Sequence, residues 1–195
     1  MSYVFFIIIS YFLGSIPFGL LVAKLFNKGD IRKVGSGNIG ATNVMRVGGL
    51  KLAGLVWLLD MAKAMCAVFI GRYVGGDVLA AWCGFVAIVG HCFPIWLRFS
   101  GGKGVSCLFG VTLAFNPIFF VVCGIGWLSV VFTTKFSSAG ALMVFCLLPI
   151  LGFVTSFDIG VAFSTISALC LLKHRGNILR LVSGKESKIE WKWKK

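Results

Sequence analysis

The chain has 195 residues, of which 58% are hydrophobic and 13% charged, with a mean hydropathy of +0.97. A soluble domain carries about 25% charged residues and about 45–50% apolar ones with glycine included, so a water-facing globular fold, a disordered chain and a coiled coil are excluded. A single-domain integral membrane protein remains. The net charge of +13, from 19 Lys and Arg against 6 Asp and Glu, suits anionic lipid or an anionic small substrate. No nucleic acid partner is expected, because little chain lies outside the apolar runs to build a groove-reading element.

A bilayer crossing takes ~20 apolar residues, and Tyr3–Ala23 is the first such run. No cation precedes it and no small-residue cleavage site follows, so it reads as a retained helix rather than a signal peptide. The second run, 50–70, is interrupted by Asp60 and Lys63, three residues apart. Charges inside a bilayer are costly and usually paired, so a mutual ion pair and a functional role both stand for these two. The third run is 78–97. The fourth, 105–132, carries Asn116-Pro117 near its middle, and 138–155 and 159–172 complete the set.

Splitting the fourth run at Asn116-Pro117 into 105–115 and 117–132 gives seven spans; leaving it whole gives six. Cations collect on the cytoplasmic side of a membrane protein. With seven spans and an external N-terminus, the cytoplasmic segments hold Lys24, Lys28, Arg32, Lys33, Arg46, Lys51, Arg98, Lys103, Lys135 and the C-terminal tail, while the external turns hold Arg72, Asp77 and Asp158. Arg72 alone runs against the rule, and an arginine at a helix end can snorkel. The expected fold is therefore an all-α membrane protein of seven transmembrane helices, N-terminus external and C-terminus cytoplasmic, with a basic tail over 173–195. Four lysines of that tail (Lys188, Lys192, Lys194, Lys195) interleave with Trp191 and Trp193 and are expected to bind anionic lipid. The seven cysteines lie mostly within apolar runs without a CxxC pair, and read as small apolar residues rather than a zinc site or disulfide framework.

Polar residues gather in three segments that this topology places on the cytoplasmic face. The first, GSGNIGATNVMR (35–46), contains GxGxxG at Gly35, Gly37 and Gly40. No strand precedes it, which excludes a dinucleotide fold. Its glycines still let backbone N–H groups approach an anion, Ser36, Asn38, Thr42 and Asn43 add side-chain donors, and Arg46 supplies a planar fork suited to phosphate. The second segment, 90–105, holds His91 and ends in Gly101-Gly102-Lys103-Gly104 before a helix opening near Val105. It lacks the Walker A spacing, but a glycine run at a helix start suits an anion, and Lys103 adds a point charge. The third segment, 173–186, sets His174, Asn177 and Arg180 on one helix face at a spacing of three. Ser137 and Ser138, after Lys135, stand as helix caps or as lining of a cytoplasmic site.

Two functions fit these segments: an enzyme acting on a phosphate-bearing substrate at the membrane surface, or a transporter of a phosphorylated solute. A transporter more often shows internal repeats and polar groups near mid-depth. Here no repeat is found and the polar groups collect at one face, which favours the enzyme.

The order and content of these motifs resemble the bacterial acyl-phosphate:glycerol-3-phosphate acyltransferase family over essentially the whole chain. The resemblance rests on YFLGSIPF at 11–18, the first segment, the Asp60/Lys63 pair, the block GHCFP with Trp96 and GGKGV, and KHRGNILRL with Glu186. It departs at Ser106-Cys107, where Ala-Thr is the family pattern, and at Thr133-Thr134-Lys135, where arginines are common. The resemblance implies acyl transfer from acyl phosphate to the 1-hydroxyl of glycerol 3-phosphate in the bacterial inner membrane, at its cytoplasmic side, giving lysophosphatidic acid. No cofactor is expected, and so few acidic residues argue against a metal. The absence of an HxxxxD signature after both His91 and His174 agrees with a donor other than acyl-CoA or acyl carrier protein. Carried onto this chain, the resemblance implies catalytic roles for Ser36, Arg46, Lys103, His174, Asn177 and Glu186. Substrate-binding roles then fall to Gly35, Gly37, Asn38, Gly40, Thr42, Asn43, Lys63, His91, Gly101, Gly102, Gly104 and Ser138.

Overall fold

The computed structural model describes residues 3–189, and every regular element among them is helical: α1 Tyr3–Ser15, α2 Phe18–Leu25, α3 Ala41–Cys92, α4 Val105–Phe115, α5 Pro117–Thr134, α6 Ser137–Thr155, α7 Phe157–Lys173 and α8 Arg175–Val182. Lys192, Lys194, Lys195, Trp191 and Trp193 of the tail lie outside the described residues. Four stretches, Tyr3–Leu25, Ala41–Leu97, Pro117–Thr134 and Ser137–Thr155, are long and apolar enough to cross a membrane, and α7 joined to α8 across a 60° bend makes a fifth. Large apolar side chains face outward, among them Ile118 (67% exposed) and Val154 (78%), while Ser10, Asp60, Lys63 and Thr112 are buried. An outer surface this apolar suits a lipid solvent.

The expected span limits shift where the backbone chemistry dictates. Pro17 supplies no N–H and disfavours a helical residue before it, so the first run breaks into α1 and α2. The third run stops at Cys92 because Pro94 follows; Ile95–Leu97 forms a short 3-10 turn instead. Helix α3 is interrupted at Gly49 (φ 80°) and at Gly75 and Gly76 (φ 74° for the latter). At the second break the chain turns back on itself. A Cβ on Gly71 would lie 2.8 Å from the Ala80 Cα, and one on Gly84 3.0 Å from Val68. The arms 50–74 and 77–92 are thus an antiparallel hairpin. Arg72 pairs with Asp77 across this turn at 2.7 Å and donates to the Ala114 and Phe115 carbonyls at the end of α4.

Small residues allow the helices to approach closely, as membrane packing requires. Gly14 meets the Ala87 backbone, Gly110 the Met61 backbone, and Gly152 the Gly160 Cα. The main apolar core lies where α4, α6 and α7 pack around the 61–92 part of α3, with Phe145, Phe163, Leu108 and Ile88 fully enclosed.

Within this interior, Lys63 and Asp60 pair at 2.7 Å with side chains 2% and 1% exposed. The Lys63 ammonium also donates to the Ile16 carbonyl at the α1–α2 break (2.7 Å) and lies 3.1 Å from His91 Nδ1. These contacts tie the α1–α2 break to both arms of α3. Removing one member of a buried ion pair leaves an uncompensated charge, at a cost of roughly 3–5 kcal/mol. Lys63→Met is therefore expected to lower the melting temperature in detergent sharply, and adding Asp60→Asn should restore most of the loss; a Lys63→Met protein as stable as wild type would show that the pair does not hold the helices.

Candidate active site

Three helices begin at one place. The starts of α3 (Ala41, Thr42, Asn43), α4 (Val105, Ser106) and α6 (Ser137, Ser138) all line a cavity of about 890 Å³. A helix N-terminus presents unsatisfied N–H groups and the positive end of its dipole, so the convergence of three makes this end of the cavity attractive to anions. Arg46, Lys103 and Arg180 add full charges to the same wall, against one carboxylate among the described residues, Glu186.

The first loop is shaped by Asn43. Its side chain accepts from the Ser36 N–H (2.9 Å) and donates to the Ile31 and Val34 carbonyls (2.8 and 3.1 Å). Gly35 (φ +61°) sits so close that a Cβ there would fall 2.4 Å from Asn43 Oδ1. With its amide fully committed, Asn43 organises the loop, although it also lines the cavity. Asn38 folds back likewise, accepting from the Gly40 N–H at 2.8 Å. Ser36 and Arg46 stand exposed at the rim, and Thr42 Oγ1 meets Ser137 Oγ at 3.3 Å.

The glycine loop before α4 is tied to the end of α3. The Gly101 and Gly102 N–H groups donate to the Cys92 and His91 carbonyls (3.1 and 3.0 Å), and a Cβ on Gly102 would fall 2.0 Å from His91 Nε2. These two glycines therefore fit the loop against His91, while Lys103 and Gly104 are the residues that reach the cavity.

Lys103 donates from Nζ to Asn177 Oδ1. Asn177 Nδ2 in turn donates to Glu186 Oε1 (2.6 Å), which also accepts from Ser138 Oγ (2.7 Å), and Glu186 Oε2 accepts from Arg180 Nε (2.7 Å). Burial opposes ionisation of Glu186, but the hydrogen bonds from Ser138, Asn177 and Arg180 outweigh it and hold the carboxyl below its ordinary value. Burial, together with the charges of Arg180, Lys173 and Arg46, holds Lys103 below the usual lysine value, and Glu186 opposes the fall. His174 is buried at the α7–α8 junction with Nδ1 2.8 Å from the Cys170 carbonyl. A carbonyl only accepts, so Nδ1 carries a hydrogen.

The other half of the cavity is apolar, lined by Leu50, Trp57, Phe109, Phe120, Ile125 and Leu128 among others. Trp57, Phe109 and Phe120 form its floor, with ring centroids 5.9–6.4 Å apart. Leu50, Val121 and Ile125 line the cavity and are themselves exposed, at 55, 51 and 61%. The apolar half is thus open sideways, where α5 packs chiefly on α4 and α6.

Of the residues expected at the site, Gly35, Ser36, Asn38, Gly40, Thr42, Asn43, Arg46, His91, Lys103, Gly104, Ser138, His174, Asn177 and Glu186 line this cavity. Gly37, Lys63, Gly101 and Gly102 do not; Lys63 is committed to Asp60, Ile16 and His91. Arg180, not among the assigned roles, belongs to the Glu186 cluster, and its i+3 spacing from Asn177 was the available signal. Asp60, His91 and Cys107 place ligand-type atoms within 4.8 Å of one another. The Lys63 ammonium already fills the cationic position between Asp60 and His91.

A family model described as glycerol-3-phosphate acyltransferase matches residues 4–184. The chain belongs to the glycerol-3-phosphate acyltransferase family. It is 45% identical over 183 residues to the glycerol-3-phosphate acyltransferase of Roseobacter denitrificans, covering 93% of this chain and 92% of that one. To that of Rhizobium etli it is 43% identical, over 93% and 89%. Among solved structures it is similar to the integral membrane glycerol 3-phosphate acyltransferase PlsY in its glycerol 3-phosphate form, with a TM-score of 0.92 and 34% identity over 97% of this chain and 96% of that one. The lysophosphatidic acid form of PlsY matches with a TM-score of 0.89 and 32% identity over the same shares. This member of the family is an integral membrane acyltransferase.

Proposed function

We propose that the chain transfers an acyl group from acyl phosphate to the 1-hydroxyl of glycerol 3-phosphate, giving lysophosphatidic acid and inorganic phosphate. The observation that carries the reading is a single cavity with an anion-attracting half and an apolar half that opens sideways. Such a cavity accommodates two phosphate groups and one hydrocarbon chain at once.

Acyl phosphate is a mixed anhydride with a good leaving group, so direct attack requires no acyl-enzyme. The acceptor hydroxyl oxygen bonds to the acyl carbon, the bond from that carbon to the phosphate oxygen breaks, and the hydroxyl proton ends on phosphate. The two substrates repel each other electrostatically. Arg46, Lys103 and the three helix starts offset that repulsion and stabilise charge on the departing phosphate. Ser36 orients a substrate from the rim, and His174 and Asn177 bound the acceptor site. Glu186 is a positioning residue that fixes Asn177, Ser138 and Arg180.

Seven crossings with the cavity on the cytoplasmic side of the bacterial inner membrane are the arrangement we favour. The turn at Gly75-Gly76 and the helix breaks at Asn116, Lys135 and Ser156 support it, as does the gathering of cations around the cavity. At the opposite end, Arg72 is neutralised by Asp77.

Purified protein given glycerol 3-phosphate with palmitoyl phosphate is expected to form lysophosphatidic acid, and with palmitoyl-CoA to form none. Equal rates with both would overturn the donor assignment. Accumulation of glycerol 3-phosphate in vesicles without acylation would overturn the enzymatic reading.

A further inference from the structure

Two kinds of helical glycine stand out in this fold. In Gly14, Gly71, Gly90, Gly110, Gly140 and Gly152 an added Cβ would come within 3.0 Å of a neighbouring helix. These positions need glycine so that helices can touch. Gly54 and Gly124 differ. Both have helical backbone, and at both an added Cβ meets nothing within 4 Å among the described residues. No neighbouring helix requires a glycine there, and glycine is a poor helix former. Both line the apolar half of the cavity, Gly54 from the 50–74 arm one turn before Trp57, and Gly124 from α5 between Phe120 and Leu128.

We propose that Gly54 and Gly124 are specificity-determining residues that keep the apolar half wide enough for a long acyl chain. The inference rests on the acyl-transfer reading given above. Here the missing side chains leave room for a ligand, on the two walls between which the cavity opens outward. The occupant is the hydrocarbon chain of the acyl donor, because this space is continuous with the anion-attracting half that would hold the phosphate to which that chain is joined.

The test compares kcat/KM across saturated acyl phosphates from octanoyl to stearoyl for wild type, Gly54→Leu and Gly124→Leu. Each Leu variant is expected to lower the palmitoyl-to-octanoyl ratio of kcat/KM by about tenfold or more, the scale on which a few methylenes are discriminated in an apolar pocket. Gly54→Ala and Gly124→Ala meet no neighbour and should shift the ratio in the same direction by less, so the test does not depend on the larger variants folding. An unchanged ratio, or an equal loss at every chain length, would overturn the proposal. Wild-type protein inactive with every acyl phosphate would instead overturn the acyl-transfer reading on which it rests.

Discussion

Lys103→Ala is expected to lower kcat/KM by about 10³-fold, or roughly 4 kcal/mol of transition-state stabilisation, with little change in melting temperature. Lys103 sits at the start of α4 with Nζ toward the cavity, and its bond to Asn177 places the ammonium beside the Glu186 cluster. Alanine would leave the three helix starts in place but remove one of the cations that line the cavity beside them. Arg46→Ala should be comparably damaging, because the Arg46 guanidinium makes no hydrogen bond or ion pair among the described residues and is available to a ligand. Steady-state assays of the purified variants with acyl phosphate, alongside thermal melts, check both; a wild-type rate in either removes that residue from the site.

Glu186→Gln should cost about 10–100-fold and leave a second signature in the pH profile. The carboxylate accepts from Ser138, Asn177 and Arg180 together. A carboxamide has one accepting oxygen, so one of those donors loses its partner. The pH signature follows from Lys103. Its charged form is the one that binds phosphate, so activity falls as pH rises through its pKa. Burial and the neighbouring cations hold that pKa below the ordinary lysine value, while Glu186 props it up. The alkaline limb of kcat/KM is therefore expected below about pH 10.4, where an unperturbed lysine titrates, and Glu186→Gln should move it lower still. Lys103→Arg should abolish the limb in whatever activity survives, since a guanidinium stays charged. An alkaline limb that ignores both substitutions would mean another group controls it.

Much of the helical order was legible because lipid leaves few options: backbone polar groups must be satisfied inside each segment, so long apolar runs become helices. The turn at Asn116-Pro117 was visible for the same reason, since Asn116 caps α5 through its side chain and Pro117 occupies the first helical position. The break at Pro17 was missed because the uncharged run continues on both sides of it and composition alone reads through it. The polar half of the site was legible from residue type, but not the direction in which donors point. Asn43 reads as a ligand in sequence; in the structure it lines the cavity while its amide is bonded to the first loop, and Gly101 and Gly102 turn their N–H groups to the end of α3. The apolar half was not legible at all. Trp57, Phe109 and Phe120 come from three helices that each look like ordinary lipid-facing sequence, and Gly54 and Gly124 resemble the packing glycines around them until the space beside each is known.

The sideways opening past Leu50, Val121 and Ile125 has a kinetic consequence. A greasy donor and a water-soluble acceptor would enter by separate doors, one from the bilayer plane and one from the aqueous side. Neither would need to wait for the other, so saturating either reactant should not block the other's entry. Turnover at fixed bulk donor would follow the donor's surface density, rising when vesicle lipid is reduced and falling when inert lipid dilutes it.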